Sequence, residues 1–178
     1  KLNFDVITVN PKNFADKIKN VHKDYICFNA LHGPFGEDGS IQKILENNKL
    51  LYTHSNSKAS EIAFNKKLTK IELKNTIIPL VDSDVITRSQ ITKNLFIKFF
   101  ERFNSFVMKP VSSGSSFGVK IFKSIKDIEE FFLNYKFEIK IYKNHDEIMI
   151  EKYIGGRELT VGVIENENVS AAMGVTEI

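Results

Sequence analysis

The sequence has few of the features that mark a secreted, membrane-bound or nucleic-acid-binding protein. Its one cysteine, Cys27, cannot form an internal disulfide, and its apolar surroundings predict a buried thiol in a reducing compartment, the cytoplasm. No run approaches the roughly 18 apolar residues of a membrane-spanning helix. The net charge is only +3, with lysines spread between acidic residues. These absences predict no nucleic-acid partner and no membrane partner.

The chain also begins without methionine and without the charged-then-apolar order of a secretion signal. We therefore expect Lys1 to lie inside a longer protein or at the edge of its ordered part. The 178 residues have the hydrophobic content of a folded protein and suffice for one large domain or for pieces of two.

Hydrophobic patterning divides the chain into two parts. In the first, strands predicted at residues 4–9, 24–31 and 50–53 alternate with helices predicted at 13–21, 40–48 and 59–73. The run 24–31 is nearly continuous and apolar, which predicts a strand buried on both faces of a parallel sheet. This order is typical of an α/β unit.

The second part begins after Pro79, which ends a helix, and its predicted elements are more mixed. We expect helices at residues 91–103 and 127–135, strands at 106–110, 119–122 and 148–153, and a hairpin of 159–165 with 169–175. The predicted domains are therefore residues 1–70, a partial amino-terminal α/β domain, and residues 71–178, a central α+β domain.

The first candidate site is a glycine-rich turn at residues 32–39, directly after a predicted buried strand. It carries His32, Glu37 and Asp38 between glycines, at the carboxyl end of a strand, where ligands bind in open α/β sheets. The alternative is a purely structural turn in which Asp38 or Ser40 caps the next helix.

The second candidate is a loop of serines and glycines that follows Lys109 on a predicted strand. Small residues allow backbone N–H groups to approach an anion, and a nearby lysine adds charge, so the loop could cover a triphosphate. It is not a Walker loop, because the Gly-Lys-Ser/Thr ending before a helix is absent. A flexible hairpin loop is the alternative.

The third candidate is the end of the strand at residues 148–153 and the turn after it. Glu151 and Lys152 end the strand, Gly155 and Gly156 turn the chain, and Glu158 begins the next strand. Backbone groups at such a turn can bind the edge of an adenine, and a carboxylate can bind ribose hydroxyls. A polar β-turn without a ligand is the alternative.

Together, in this order and at these spacings, the three stretches resemble the D-alanine–D-alanine ligases of the ATP-grasp superfamily. The element His-Gly-x-x-Gly-Glu-Asp-Gly, beginning at His32, is the part most specific to that family. The resemblance extends over essentially the whole chain, including Tyr52-Thr53, Lys66 and Lys70. It implies an ATP-grasp fold with ATP between the central domain and a carboxy-terminal domain beyond Ile178.

For the amino-acid and phosphate sites, the resemblance implies specific roles. His32 and Glu37 would hold the first D-alanine, and Lys70 and Lys109 would contact the ATP phosphates. Ser115 would be the catalytic residue that anchors the loop closing over the reactants. Two further residues would lie close to the phosphates: Ser116 and Gly118.

For the nucleoside, the resemblance implies an adenine-binding hinge and a ribose ligand. The hinge would consist of Glu151, Lys152 and Ile154, and Glu158 would bind the ribose. The family uses ATP with Mg²⁺ (or Mn²⁺) to phosphorylate one D-alanine, and the amine of a second D-alanine then attacks the acyl phosphate. A homodimer in the cytoplasm that makes peptidoglycan precursors is implied in the same way.

Some family features are replaced or lie outside this sequence. His54 and Asn56 stand where glycines are usual, and Asn65 stands where aspartate is usual. The metal ligands of the family are expected after Ile178, so no metal ligand is predicted here. Two other readings stay open: a ligase that makes D-alanyl-D-lactate, and an inactive nucleotide-binding fragment.

Overall fold

The computed structural model describes residues 5–167 and 169–178. In its first part, a short helix α1 (Phe14–Lys17) lies between two 3-10 turns, Pro11–Asn13 and Ile18–Asn20. A parallel pair of two-residue strands, β1 (Ile26–Cys27) and β2 (Leu51–Tyr52), is connected by helix α2 (Ser40–Asn47). A small apolar cluster holds this part together: Ile18, Ile41, Leu45 and Leu50.

The strands predicted in the first part are mostly wrong in extent. Phe4 lies outside the described residues, and residues 5–9 form neither helix nor strand. The predicted strand at 24–31 is reduced to β1, whose Ile26 is 66% exposed, and Phe28 beyond it is 76% exposed. The reason is that β1 pairs only with β2 among the described residues, so little packs against its faces.

The helix predicted at residues 59–73 is two helices, α3 (Ser57–Phe64) and α4 (Lys66–Leu73). Asn65 separates them because its backbone is extended (φ −100°, ψ 105°) and forms an isolated bridge with Ser112. Its side-chain oxygen accepts hydrogen bonds from the Lys67 and Leu68 N–H groups, which caps α4. The break therefore directs the start of α4 towards the loop at residues 111–119, which we call the serine-rich loop.

The second part is built on a four-stranded antiparallel sheet. Its strands, in spatial order, are β3 (Ser83–Thr87), β6 (Glu147–Lys152), β4 (Phe106–Pro110) and β5 (Lys120–Phe122). Its helices are α5 (Lys93–Phe103), α6 (Ile125–Leu133) and the short α7 (Tyr135–Glu138), followed by a 3-10 turn, Ile139–Tyr142. β3 was not predicted, although its Val-Ile-Thr run is typical of a strand.

One face of this sheet packs on α5 and α6, and the opposite face is covered in part by α4. Phe106 and Met108 of β4 lie fully buried against α5 and α6, whereas Val107 and Lys109 point to the opposite face. Phe96 of α5 lies at the centre of the core, with its ring centroid 5.3–5.6 Å from the centroids of four other phenylalanines: Phe106, Phe122, Phe131 and Phe132.

The chain ends in a hairpin of β7 (Leu159–Asn166) and β8 (Val169–Glu177), as predicted. All of its described residues are exposed, because the two strands pair with each other and with no other strand of the described chain. Among the described residues, no helix is long and apolar enough to cross a membrane.

Candidate functional site

The turn at residues 32–39 lies between β1 and α2 and brings His32 and Glu37 side by side. Glu37 Oε2 accepts a hydrogen bond of 2.6 Å from the Gly33 N–H, and His32 Nδ1 is 3.8 Å from Glu37 Oε1. The His32 side chain is 89% exposed. The two residues predicted to hold D-alanine therefore share one open edge of the molecule.

Polar contacts hold this turn in place. The Asp38 carboxylate accepts hydrogen bonds of 2.9 Å from the Phe35 and Ser40 N–H groups. Burial raises the pKa of Asp38, but these hydrogen bonds outweigh it and leave the pKa below its usual value. The Gly36 carbonyl accepts two further bonds, from Asn29 Nδ2 and from the buried Gln42 Nε2. Asp38 thus stabilises the turn.

Gly39 is the position of the turn that least tolerates a side chain. Its φ is +88°, and a Cβ there would lie 2.3 Å from the Ser57 carbonyl oxygen of α3. This close approach leaves no room for a side chain between the turn and α3, so glycine fits the position immediately before α2.

On the face of the four-stranded sheet that α4 partly covers, two lysines converge on one carboxylate. Lys70 Nζ of α4 is 2.8 Å from Glu151 Oε1, and Lys109 Nζ of β4 is 2.5 Å from Glu151 Oε2. Lys109 and Glu151 are diagonal neighbours on adjacent strands, because Val107 lies opposite Glu151 in the register. All three side chains are largely buried, with 14–21% exposed.

A third lysine, Lys66, lies close enough to this group to influence it electrostatically. Burial and the nearby charge of Lys109 lower the pKa of Lys66. Burial raises the pKa of Glu151, but the hydrogen bonds from Lys109 and Lys70 outweigh it, so that pKa lies below its usual value. Two ammonium groups bind one carboxylate and a third lies nearby, and the excess positive charge favours binding of an anion.

The serine-rich loop between β4 and β5 borders this lysine group. Ser115 and Ser116 have φ angles of +50° and +56°, and Gly118 has a φ of +68°. Both serine side chains are exposed. Within the described chain, no hydrogen bond occupies the backbone N–H groups of these three residues. They are therefore available to an anionic ligand.

The serine-rich loop also meets the turn that carries His32 and Glu37. A Cβ at Gly114 would lie 3.2 Å from Glu37 Oε2, so the Glu37 carboxylate is next to the loop backbone. The structure thus brings the predicted amino-acid residues and the predicted phosphate loop together.

Of the predicted nucleoside residues, Glu151 and Lys152 end β6, and Ile154 and Glu158 follow it. The Lys152 N–H donates to the Asp82 carbonyl, whereas no described residue accepts a hydrogen bond from the Ile154 N–H. The Ile154 side chain is 61% exposed, and Glu158 is exposed. Among the described residues, no hydrogen bond or ion pair joins the Glu158 side chain to the lysine group.

Some contacts were missed by the sequence analysis. Lys66 Nζ donates to the Ser113 carbonyl (2.9 Å), Lys67 Nζ is 2.6 Å from Glu147 Oε1, and Tyr142 Oη donates to the Gly118 carbonyl (2.6 Å). The spacing of the lysines at 66, 67 and 70 on one helix was the available signal for the lysine contacts.

In the part of the chain that is described, no three His, Cys, Asp or Glu side chains are grouped as metal ligands.

The departures from the family pattern have local structural effects. Asn56 caps α3, since its side-chain oxygen accepts a hydrogen bond from the Ala59 N–H. Asn65 caps α4 in the same way. His54 adopts a φ of +87°, a conformation that glycine adopts more easily, and its Nδ1 is 2.8 Å from Thr53 Oγ1.

Comparisons with known proteins agree on one family. The family model described as D-ala D-ala ligase C-terminus matches residues 73–178. A D-alanine–D-alanine ligase of Sinorhizobium fredii is 41% identical over 153 residues, which are 86% of this chain and 46% of that protein. One of Bartonella tribocorum is 42% identical over 155 residues, 87% of this chain and 47% of that protein.

Solved structures give the same result. The structure of the D-alanine–D-alanine ligase from Coxiella burnetii matches with a TM-score of 0.71 and 29% identity, over 86% of this chain and 44% of that one. The chain spans about half the length of the curated relatives it matches.

Proposed function

The chain belongs to the D-alanine–D-alanine ligase family, and we propose that it forms part of an ATP-dependent enzyme joining two D-alanines for peptidoglycan synthesis. The ATP-grasp fold predicted from the sequence is confirmed by its structural relatives. One observation carries the proposal: Lys70 and Lys109 converge on Glu151 beside a serine-rich loop that also contacts Glu37. Phosphate and amino-acid ligands would then meet at that loop.

Lys70 and Lys109 would bind the phosphates of ATP. Their ammonium groups are held close together by Glu151, which reduces the repulsion between them before a nucleotide arrives. Phosphoryl transfer depends mainly on positioning and on stabilisation of negative charge, and two fixed cations provide both. Ser116 and Gly118 would add backbone N–H donors to the phosphates.

The nucleoside would lie along the segment after β6. The Ile154 N–H, which makes no hydrogen bond to a described residue, supports this assignment, because a backbone donor at an exposed turn can bind an adenine ring nitrogen. Lys152 and Glu151 would complete the hinge, and Glu158 would bind the ribose hydroxyls. The last assignment rests on the family resemblance.

The first D-alanine would bind beside His32 and Glu37. An acyl phosphate forms only if the D-alanine carboxylate reaches the terminal phosphate, and the contact between Glu37 and the Gly114 backbone supports that proximity. Ser115, at the tip of the loop, would help to close it over both reactants.

Further proposals rest on the family alone. They are Mg²⁺ or Mn²⁺ as the metal, a second D-alanine as the acceptor, a homodimer and a cytoplasmic location. The described residues offer no group of three metal-ligating side chains, so we assign no step to a metal here.

The first test measures ATP binding by calorimetry in the unaltered protein and in Lys109→Met. We expect at least a tenfold loss of affinity, roughly the value of one charge-assisted hydrogen bond. Lys67→Met is the matched control, because Lys67 pairs with Glu147 and not with Glu151. Equal affinity in all three proteins would contradict the phosphate assignment.

The second test measures phosphate release from ATP in the presence of D-alanine, with and without D-lactate. We expect D-alanyl-D-alanine as the product. Ester formation with D-lactate would instead support the D-alanyl-D-lactate alternative. Binding of ATP without any D-alanine-dependent phosphate release would support a nucleotide-binding fragment.

A further inference from the structure

The carboxyl end of helix α5 lies beside the segment that we propose binds adenine. Hydrogen bonds hold the backbone of this hinge on both sides. The Lys152 N–H donates to the Asp82 carbonyl at 3.0 Å, and the Tyr153 N–H donates to the Ser105 carbonyl at 3.0 Å. Both acceptors are connected to the end of α5, Ser105 through the chain and Asp82 through a side chain.

Ser105 follows the end of α5 by two residues. The helix ends at Phe103, and Asn104 caps it in a left-handed conformation (φ +64°), with its N–H donating to the Phe100 carbonyl at 2.8 Å. Because Phe103 is buried in the aromatic core, the packing of α5 fixes the Ser105 side of the hinge.

On the other side, Arg102 of α5 holds the segment that leads into β3. Its Nη2 is 2.7 Å from Asp82 Oδ1, and its Nη1 is 2.6 Å from Asp84 Oδ2. The guanidinium carbon also lies 4.6 Å from the centre of the Phe103 ring. A planar group that contacts two carboxylates and one ring has few alternative positions, so Arg102 fixes the residue whose carbonyl accepts from the Lys152 N–H.

The register of the sheet continues from β3 and β6 into the hinge. Ser83 lies opposite Glu151, and the hydrogen bond from Lys152 to Asp82 follows that pair. Successive N–H groups of extended backbone point to opposite sides, as those of Lys152 and Tyr153 do. We therefore expect the next N–H, that of residue 154, on the side of the hinge that Arg102 holds.

We propose that Arg102 is a positioning residue for the base of ATP, because it fixes the Asp82 side of the hinge and so directs the Ile154 N–H at the adenine ring. Arg102 acts through Asp82 and Lys152 and does not touch the nucleotide. A hinge that is already fixed loses less conformational entropy when the base binds. The inference rests on the proposed function, since it assumes that the segment after β6 binds the base.

The experiment measures the affinities of ATP and of inorganic tripolyphosphate by calorimetry in Arg102→Met. Tripolyphosphate has no base, so its binding reports on the lysine group and not on the hinge. The three charged side chains are 44–57% exposed, and two exposed ion pairs together correspond to a loss of ATP affinity of about two- to fivefold. We expect the affinity for tripolyphosphate to stay unchanged.

Two further variants make the measurement specific. Arg102→Lys keeps the charge but contacts the two carboxylates less well than a guanidinium, so its loss of ATP affinity should be intermediate. Lys98→Met is the matched control, because Lys98 lies one turn earlier on α5, is exposed and has no ion pair among the described residues. It should bind ATP as the unaltered protein does.

Hydrogen–deuterium exchange provides a second measurement that needs no nucleotide. The Lys152 amide should exchange faster in Arg102→Met, because its acceptor is on the segment that Arg102 holds. The Tyr153 amide should exchange as in the unaltered protein, because Ser105 holds it from the other side. A general loss of stability would instead speed the exchange of both amides.

The outcomes separate this inference from the proposed function. If the unaltered protein binds ATP no more tightly than tripolyphosphate, the segment after β6 does not bind the base, and both the nucleoside assignment and the inference are overturned. If ATP binds more tightly, the inference alone is overturned by any of three results in Arg102→Met: unchanged ATP affinity, an equal loss for both ligands, or equal acceleration of both amides.

Discussion

The two described parts of the molecule hold their candidate site residues by different means. Lys109 and Glu151 lie on strands whose other face packs on a core of phenylalanines, at the centre of which Phe96 is fully buried. His32 and Glu37 lie on a turn above a cluster of four buried apolar residues, and polar contacts from Asn29, Asp38 and Gln42 hold that turn.

The difference shows that rigidity can come from apolar packing or from hydrogen bonds to the backbone. A sheet on an aromatic core fixes cations that would bind phosphates, and its stability is spread over many contacts. A turn held by a few polar contacts depends on each of them. Mutations should therefore have global effects in the part built on the four-stranded sheet and local effects in the turn at residues 32–39.

The largest expected effect comes from removing the centre of the aromatic core. Phe96→Ala should lower the free energy of unfolding by about 3–5 kcal/mol, because it leaves a cavity among four phenylalanine rings. Denaturant unfolding followed by circular dichroism measures this. Phe137→Ala is the control, since its ring is 73% exposed and its loss should cost less than about 0.5 kcal/mol.

The next effect tests the turn. Gly39→Ala should cost about 3 kcal/mol, because it combines a positive φ with a Cβ 2.3 Å from the Ser57 carbonyl oxygen. Gly33→Ala is the matched control, since its φ is +71° but no atom lies within 4 Å of its Cβ, so the cost should be about 1–2 kcal/mol. Equal costs for the two variants would contradict the importance of the contact with α3.

A smaller effect concerns the ion pairs between α4 and the four-stranded sheet. Glu151→Gln should cost about 1–3 kcal/mol at neutral pH, because Lys70 and Lys109 lose a shared partner while largely buried. The pKa of Glu151 is lowered in the folded state, so its stabilisation is present above the usual carboxyl pKa and is lost as the pH falls through the folded-state value.

Unfolding measured from pH 7 down to pH 3 tests the sign of this effect. The difference in stability between the unaltered protein and Glu151→Gln should shrink as the pH falls. A difference that stays constant would mean that the carboxylate charge does not contribute.

The smallest effect is expected in the hairpin, which belongs to neither cluster. Val163→Thr should change the free energy of unfolding by less than about 0.5 kcal/mol, because Val163 is 66% exposed. A large loss of stability, measured by denaturant unfolding, would show that the hairpin packs on something in solution.

The sequence analysis predicted the strands of the four-stranded sheet more accurately than those near the turn at residues 32–39. Residues 106–110 were predicted as a strand and form β4, because a short apolar run next to turn residues is typical of a strand packed on a core. Residues 24–31 were predicted as a buried strand and form only β1, because an apolar run does not reveal how many neighbouring strands exist. The boundary proposed between residues 70 and 71 stays a prediction.

The candidate site was predictable to a similar degree. The family resemblance implied that Lys70, Lys109 and Glu151 are site residues, and the structure shows that their side chains form one group. It could not show that Lys66 and Tyr142 donate hydrogen bonds to the serine-rich loop, because those contacts end on backbone carbonyls and leave no pattern of residue types. The functional roles of all of these residues stay proposals.

The hydrogen bond between Tyr142 and Gly118 has a spectroscopic consequence. The protein contains no tryptophan and five tyrosines, so no indole emission masks the tyrosine fluorescence. One of those five fluorophores donates its hydroxyl to the carbonyl at the end of the serine-rich loop. Movement of that loop end would therefore change the intrinsic emission, and the unlabelled protein carries its own optical reporter of loop closure.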